Sequence, residues 1–407
     1  MPEKAITPHG PKKGSGKDLR VLHCLRAPVG GLFRHVCDLA RAQSDAGYDV
    51  GIVCSDAPND ASTLEKLSLL GTFCSLGVER ISLGRWPGVS DMHALRACSR
   101  LVSELQPDIV HGHGAKGGVL ARLVRSQHPI SRFYTPHGGS VHFSPTSLAG
   151  VVFGAAERLM MKRTDGFIFE SSFARNVFTQ RFGTLLSNAS VVHNGLALEE
   201  FEDVSLVPAA ADFVFLGELR LLKGIFTLID AVALLGEKAQ VSLAFVGDGP
   251  DRAALVEKIA EKNLTSQVRL LGAMPAREAF ARGRIVVMPS HHDSFPYVAL
   301  EAAAAGRPLV ATRTGGIPEI FGPFAGALVT PGDAKALAAA MDAKVNNPSK
   351  ALDATADLRA RVRSHFSIEE MAKGVASVYQ LATSKMEEQD VIATPAVGIR
   401  VKMDVAE

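Results

Sequence analysis

Long apolar runs are missing from this 407-residue chain. The best candidate, residues 148–161, is broken by Glu157 and Arg158, and a bilayer-spanning helix needs roughly 20 apolar residues in a row. No transmembrane helix is therefore expected. The first 20 residues carry Lys4, Lys12, Lys13 and Lys17 but no apolar stretch, which excludes a secretory signal. Cysteine is sparse and odd in number: Cys24, Cys37, Cys54, Cys74 and Cys98, none in Cys-x-x-Cys spacing. Reduced, buried thiols in a cytoplasmic protein fit this better than disulfides or zinc. Excess charge is missing as well. Lys plus Arg total 44 against 42 acids, a net charge of +2, so the chain is not a dedicated nucleic-acid binder. No Gly-x-Gly-x-x-Gly with a following ribose-binding acid opens either half, which argues against a dehydrogenase.

What is present is an ordinary globular composition, 47% hydrophobic and 21% charged. The length exceeds what one core usually serves, so two domains are expected. Short apolar strands alternate with helices along both halves. That pattern predicts an α/β protein with two doubly wound, Rossmann-like parallel sheets facing across a cleft. In such sheets ligands sit at the carboxyl ends of the strands, so the strand-end loops matter most.

In the first half, strand 20–26 runs into Ala27-Pro28-Val29-Gly30-Gly31 and a helix over 32–46 ended by Gly47. Helix 61–70, a short strand near Cys74 and helix 89–105 follow. A strand from Asp108 then ends in His111-Gly112-His113-Gly114, and strand 131–135 ends in Pro136-His137-Gly138. Gly30-Gly31 reads either as a tight turn or as a phosphate approach. His111 and His113 are open between structural and ligand-facing roles. Nothing near them has zinc spacing with a third ligand. In the second half, strand 213–216 leads into Gly217-Glu218-Leu219-Arg220-Leu221-Leu222-Lys223-Gly224, two cations placed before a helix and suited to an anion. Strands are also expected at 241–246, 268–272, 308–311 and 327–329.

The chain is organised around Pro289 to Gly306. A strand over 284–288 feeds the loop His291-His292-Asp293-Ser294-Phe295-Pro296, and the loop opens an Ala-rich helix containing one carboxylate, Glu301. A helix apolar on every face is normally buried. An ionised Glu within it needs a backbone amide, an Arg or a ligand as partner.

The stretch Asp293-x7-Glu301 resembles the Glu-x7-Glu signature of the retaining glycosyltransferases of family 4, which have the two-domain GT-B fold. Thr135-Pro136-His137-Gly138 resembles the family's Thr-x-His-Gly motif, and Gly30-Gly31 its glycine loop. The resemblance spans about residues 19 to 383. Residues 1–18 read as a disordered basic leader and residues 384–407 as a polar tail. The resemblance implies an acceptor-side domain over 19–195, a linker at 196–211, a nucleotide-sugar domain at 212–367 and a helix returning to the first domain at about 368–383. It implies transfer of a sugar from a nucleotide diphosphate to a glycan or polyprenyl-linked acceptor in bacterial-type exopolysaccharide or lipopolysaccharide synthesis. Retention of configuration, no metal and no further cofactor are implied too. Gly30 and Gly31 would approach the diphosphate and acceptor. Lys223, with Arg220 and the amides of Tyr297 and Val298, would hold the diphosphate. Glu301 would hold the ribose, Asp293 the donor sugar, and His137 would lie beside the transferred sugar. Attachment, if any, would be peripheral at the inner face of the membrane, through the basic leader or the helix around Val151 to Met161.

Two positions depart from the family pattern. Glu218 stands where the family has an Arg, with Arg220 two residues later. Asp293 replaces a Glu and is about 1.5 Å shorter in reach. Two rivals keep the fold or the ligand: a soluble synthase of a small glycoside, and a non-catalytic sugar-nucleotide or glycan-binding subunit of an assembly complex.

Overall fold

Runs rich in Val, Ile, Leu and Phe become parallel strands here because helices cover both faces of each sheet. The computed structural model describes residues 19–84, 88–138, 148–185, 187–236 and 241–393. The first sheet holds β1 (Arg20–Cys24), β2 (Asp49–Ser55), β3 (Gly77–Ile81), β4 (Ile109–His113), β5 (Ser131–Thr135), β6 (Gly166–Phe169) and β7 (Asn188–Val191). The second holds β8 (Ala211–Leu216), β9 (Leu243–Val246), β10 (Val268–Leu270), β11 (Gly283–Met288) and β12 (Leu309–Ala311). Every pairing recorded between these strands is parallel.

Strand order decides where ligands can enter. The first sheet runs β3-β2-β1-β4-β5-β6-β7 and the second β10-β9-β8-β11-β12. Each order reverses once, between β1 and β4 and between β8 and β11. A crevice opens at such a switch point, beyond the strand carboxyl ends. The helices that begin after β1 and β4 start at Gly30-Gly31 and at Gly114. The loops after β8 and β11 carry Lys223 and Asp293. Most residues of interest are thus set by topology before any side chain is considered.

The chain crosses between the sheets twice, side by side. Leu196 donates its amide to Phe366 and accepts from the Ile368 amide, at 2.8 and 3.1 Å. The helix Ile368–Ala393 then lays Met371, Val375, Val378 and Tyr379 against Val21, Leu39, Phe133 and Ile168 of the first domain. It runs past residue 383, so the stretch expected as tail begins as helix. The leader 1–18 and residues 394–407 lie outside the described residues.

Two strand expectations are corrected. Cys74 lies just past a helix end, its amide still bonded to Leu70 O, and the strand starts only at Gly77, which takes φ +82°. At 327–329 a 3₁₀ helix, Gly322–Ala327, replaces the strand, and Val329 alone makes a bridge, to Thr312. Gly322, Pro323, Gly326 and Pro331 leave too few consecutive residues able to stay extended and donate to a ladder. No helix among the described residues is long and apolar enough to cross a membrane. The helix Leu148–Met161 buries Glu157, Met160 and Met161 and exposes Val151 and Leu159.

Candidate active site

The crevice of the second sheet is built from three loops locked together by close backbone contact. Gly224 takes φ +72°, and a Cβ there would lie 1.9 Å from Pro289 O. Gly315 takes φ +58°, and its Cβ would collide with Asp293 O. Only glycine allows both the left-handed backbone and the approach. The loops after β8, β11 and β12 therefore form one rigid platform, tied further by His291 N to Leu222 O at 2.9 Å and Gly316 N to Ser294 O at 2.7 Å. On it the Lys223 ammonium sits 2.8 Å from both oxygens of Asp293. The two residues assigned separate ligand contacts from sequence are partners of each other. Arg220 is not brought to this pair. Its guanidinium lies 3.4 Å from Glu218, and both side chains are nearly half exposed.

Beside the platform begins the helix Tyr297–Ala304. Its N-cap is Pro296, with no side-chain cap, so the amides of its first turn, including Tyr297 and Val298, have no intrahelical partner. Facing it is the helix Gly30–Asp45 of the first domain. Gly30-Gly31 is therefore a helical first turn rather than a loop. A Cβ on Gly31 would lie 3.6 Å from the Tyr297 ring. Two helix N-termini thus meet across the cleft, a geometry that favours an anion.

Three residues beyond Gly31 comes the residue that sequence reading missed, Arg34. Its guanidinium lies 4.3 Å from the centre of the Tyr297 ring. It bonds Glu301 across the cleft, both oxygens of Glu200 at 2.7 and 2.6 Å, and Asp38 at 3.3 Å. Glu301 thus has the arginine partner that its apolar surroundings demand. Burial raises the Glu301 carboxyl above its ordinary range despite Arg34. Burial likewise pushes Asp38 up to about 6, with Arg34 opposing. Burial alone would lower the Arg34 guanidinium, but the three carboxylates raise it overall. The only sequence signal was a cation one turn into a helix that starts at a switch point.

The crevice of the first sheet is chemically different. His23 on β1, His111 and His113 on β4, His35 on the Gly30 helix and His137 after β5 lie together. His23 Nε2 bonds Gln43 Oε1 at 2.7 Å, and His23 Nδ1 bonds His113 Nε2 at 3.0 Å. His113 Nδ1 continues to His137 Nε2 at 3.2 Å. His111 is turned away into the core, held by Tyr379 OH at 2.8 Å and Thr135 Oγ1 at 2.9 Å. Both of its ring nitrogens are thus occupied within the core. His113 supports His137, which is held at φ +48°, a strained backbone for a residue with a side chain. Burial depresses all five imidazoles, His23 to about 4 and His137 to about 3. They are neutral at pH 7 and act as directional hydrogen-bonding groups.

The seam between the domains closes on the Asp293 loop. Ser294 donates to the buried Glu170 carboxylate, Ser171 Oγ donates to Ser294 O at 3.3 Å, and Asn194 donates to Phe295 O at 3.1 Å. Glu319 accepts the amides of Ser172 and Phe173 at 2.9 Å each and pairs with His193 at 3.1 Å. Burial works against ionising Glu319, but the His193 bond and the two helix amides win and lower it. Sequence reading passed over Glu170 and Glu319 because each partner is more than 120 residues away from the other.

Residues 29–200 match the family model described as Glycosyltransferase Family 4, and residues 199–363 match the one described as Glycosyl transferases group 1. The chain belongs to the family 4 glycosyltransferases. The two matches meet at the short 3₁₀ turn Leu198–Phe201 that carries Glu200. The glycosyltransferase is 29% identical to a glycogen synthase of Mycobacterium tuberculosis, over 91% of this chain and 95% of the relative. Its fold is GT-B. Sucrose-phosphate synthase from Thermosynechococcus elongatus superposes with a TM-score of 0.71 at 21% identity, covering 93% of this chain and 100% of the other. Anabaena HepE, solved with UDP and glucose, gives 0.72 at 19% identity over 89% of this chain and 99% of the other.

Proposed function

We propose that this glycosyltransferase takes a nucleotide-diphosphate sugar as donor and transfers the sugar, with retention, to a hydroxyl of a glycan or lipid-linked acceptor. The observation that carries the reading is the Lys223 ammonium, fixed 2.8 Å from Asp293 at the β8/β11 switch point beside an uncapped helix start. Negative charge grows on the leaving diphosphate as the sugar departs. A fixed cation and helix amides aimed there stabilise that charge without reorganisation. In this scheme Lys223 and the amides of Tyr297 and Val298 hold the diphosphate, and Arg220 swings in from its solvent-exposed pair with Glu218. Glu301 spends one oxygen on Arg34 and offers the other to a ribose hydroxyl. His137 lies beside the sugar as a neutral group. Asp293 contributes chiefly by holding Lys223, a task that its shorter side chain performs at full hydrogen-bond geometry. The chain itself supplies the positive charge for this scheme, so no metal is needed for turnover.

A second reading for the acceptor is a soluble glucan or small glycoside. It is supported by the similarity to a glycogen synthase along nearly the whole chain. Both readings meet the same first test, thermal shifts with UDP-, GDP- and ADP-sugars on wild type and Lys223→Ala. One donor is expected to stabilise the wild type, by about 2.7 kcal/mol at a hundred times its Kd, and to lose that effect in the variant. The expected product keeps the donor's anomeric configuration, read by NMR. An inverted product defeats the retaining mechanism. Binding without any turnover favours the non-catalytic subunit, and no shift with any donor defeats the whole assignment.

A further inference from the structure

The histidine crevice holds more ligand capacity than sugar recognition uses. His35, His113 and His137 each offer a ring nitrogen, all within 4.8 Å of one another. They come from the Gly30 helix, β4 and the loop after β5, so no local spacing in the sequence could reveal them. We propose that these three imidazoles form a binding site for one divalent transition metal of the zinc class, whose occupancy does not require a bound sugar nucleotide.

The outer hydrogen bonds decide which nitrogens are free. Asn194 Nδ2 donates to Phe295 O at 3.1 Å. That orients the amide, so Asn194 Oδ1 must accept from His35 Nδ1 at 2.9 Å. The lone pair of His35 therefore lies on Nε2, which is buried with no hydrogen-bond partner. On the other side, Gln43 Oε1 accepts from His23 Nε2, which leaves His23 Nδ1 to accept from His113 Nε2. The lone pair of His113 is then on Nδ1, facing His137 Nε2 at 3.2 Å. Two lone pairs are thus preset by second partners, the arrangement that orients histidines around a metal. The 3.2 Å spacing is close to the edge of a tetrahedron with metal–nitrogen bonds of about 2.0 Å, roughly 3.3 Å.

The deeper group, His23, His111 and His113, is also close enough to bind. Its nitrogens are committed, however: His111 spends both on Tyr379 and Thr135, and His23 both on Gln43 and His113. Among the described residues, the outer three alone combine proximity with an unpartnered nitrogen. Metal entry needs only that His137 move its proton from Nε2 to Nδ1, with no net proton release. Three imidazoles leave a fourth, open position for water or a substrate oxygen. Occupancy would take His137 out of its proposed place beside the sugar and so inhibit transfer. That consequence rests on the functional reading above, whereas the binding does not.

The test uses the full, chelator-treated chain without any sugar nucleotide, titrated with Co²⁺ and then Zn²⁺. One equivalent of Co²⁺ is expected to give the intense visible bands of a four-coordinate nitrogen site, and Zn²⁺ to displace it. His137→Asn, which tolerates the left-handed backbone, should weaken binding by at least tenfold. His292→Asn, at an exposed histidine outside the cluster, should leave it unchanged. A weak octahedral spectrum from the wild type overturns the site without relying on any variant. So does binding that survives His137→Asn and is lost in His292→Asn.

Discussion

At the β8/β11 crevice the side chains that meet are charged, Lys223 with Asp293. At the β1/β4 crevice they are neutral imidazoles, and the charges stand one helical turn away on Arg34. Both crevices arise from the same topological reversal. Burial sets the difference. Lys223 keeps 28% of its side chain exposed beside the Asp293 carboxylate. Four of the histidines in the first crevice, His23, His35, His111 and His113, are almost fully covered and His137 is partly so, so protonation there costs too much. One crevice is suited to hold a diphosphate, the other to position neutral hydroxyls.

The sharpest way to break this comparison is Lys223→Ala. Loss of one fixed charge at the leaving group should lower kcat/KM for donor hydrolysis by 10²–10³-fold, about 3–4 kcal/mol. An effect under tenfold places the diphosphate elsewhere. Next comes Arg34→Ala. It leaves Glu301, Glu200 and Asp38 without their shared cation and should cost about 2–3 kcal/mol in urea unfolding at pH 7. The sign with pH follows from the raised Glu301 and Asp38 carboxyls. A raised acid binds its proton more tightly in the folded state, so stability rises as pH falls through the folded value toward the unfolded one. The variant, whose acids are raised further, should therefore recover part of its deficit between pH 7 and pH 5. A deficit that grows over that range contradicts the arrangement.

Smaller effects sharpen the contrast. Tyr379→Phe removes the hydroxyl bonded to His111 and should cost about 1 kcal/mol of stability with donor affinity unchanged, since His111 faces the core. A change in donor affinity there would reopen a ligand-facing role for His111. Arg220→Ala should weaken donor binding about threefold by calorimetry, as expected for an exposed cation. Unchanged affinity would remove Arg220 from the site.

The platform loops show how much was legible. Lys223, Asp293 and Glu301 stand at strand ends and helix starts, where short-range patterns of Gly, Pro and charge carry the signal. Their roles were harder to read. Lys223 and Asp293 are 70 residues apart, and nothing local says that the loops after β8 and β11 touch. The Gly30-Gly31 pair reads as a loop because glycine disfavours helix, yet tertiary packing against Tyr297 makes it a first turn. Arg34 and His35 looked like ordinary positions of an amphipathic helix. Their partners, Glu301 and Asn194, lie 267 and 159 residues away.

The alternation of apolar strands and helices determined, by itself, that two parallel sheets form, because each strand must bury both faces. The glycines and charges at strand ends likewise marked which loops would matter. Only the tertiary structure decided which side chains meet. Strand order brings β1 beside β4 and β8 beside β11, and the double crossing at Leu196 and Ser367 turns the two crevices toward each other. Partnerships such as Arg34 with Glu301 exist only after both sheets have closed. Their energy depends on distance and burial, which local sequence does not encode.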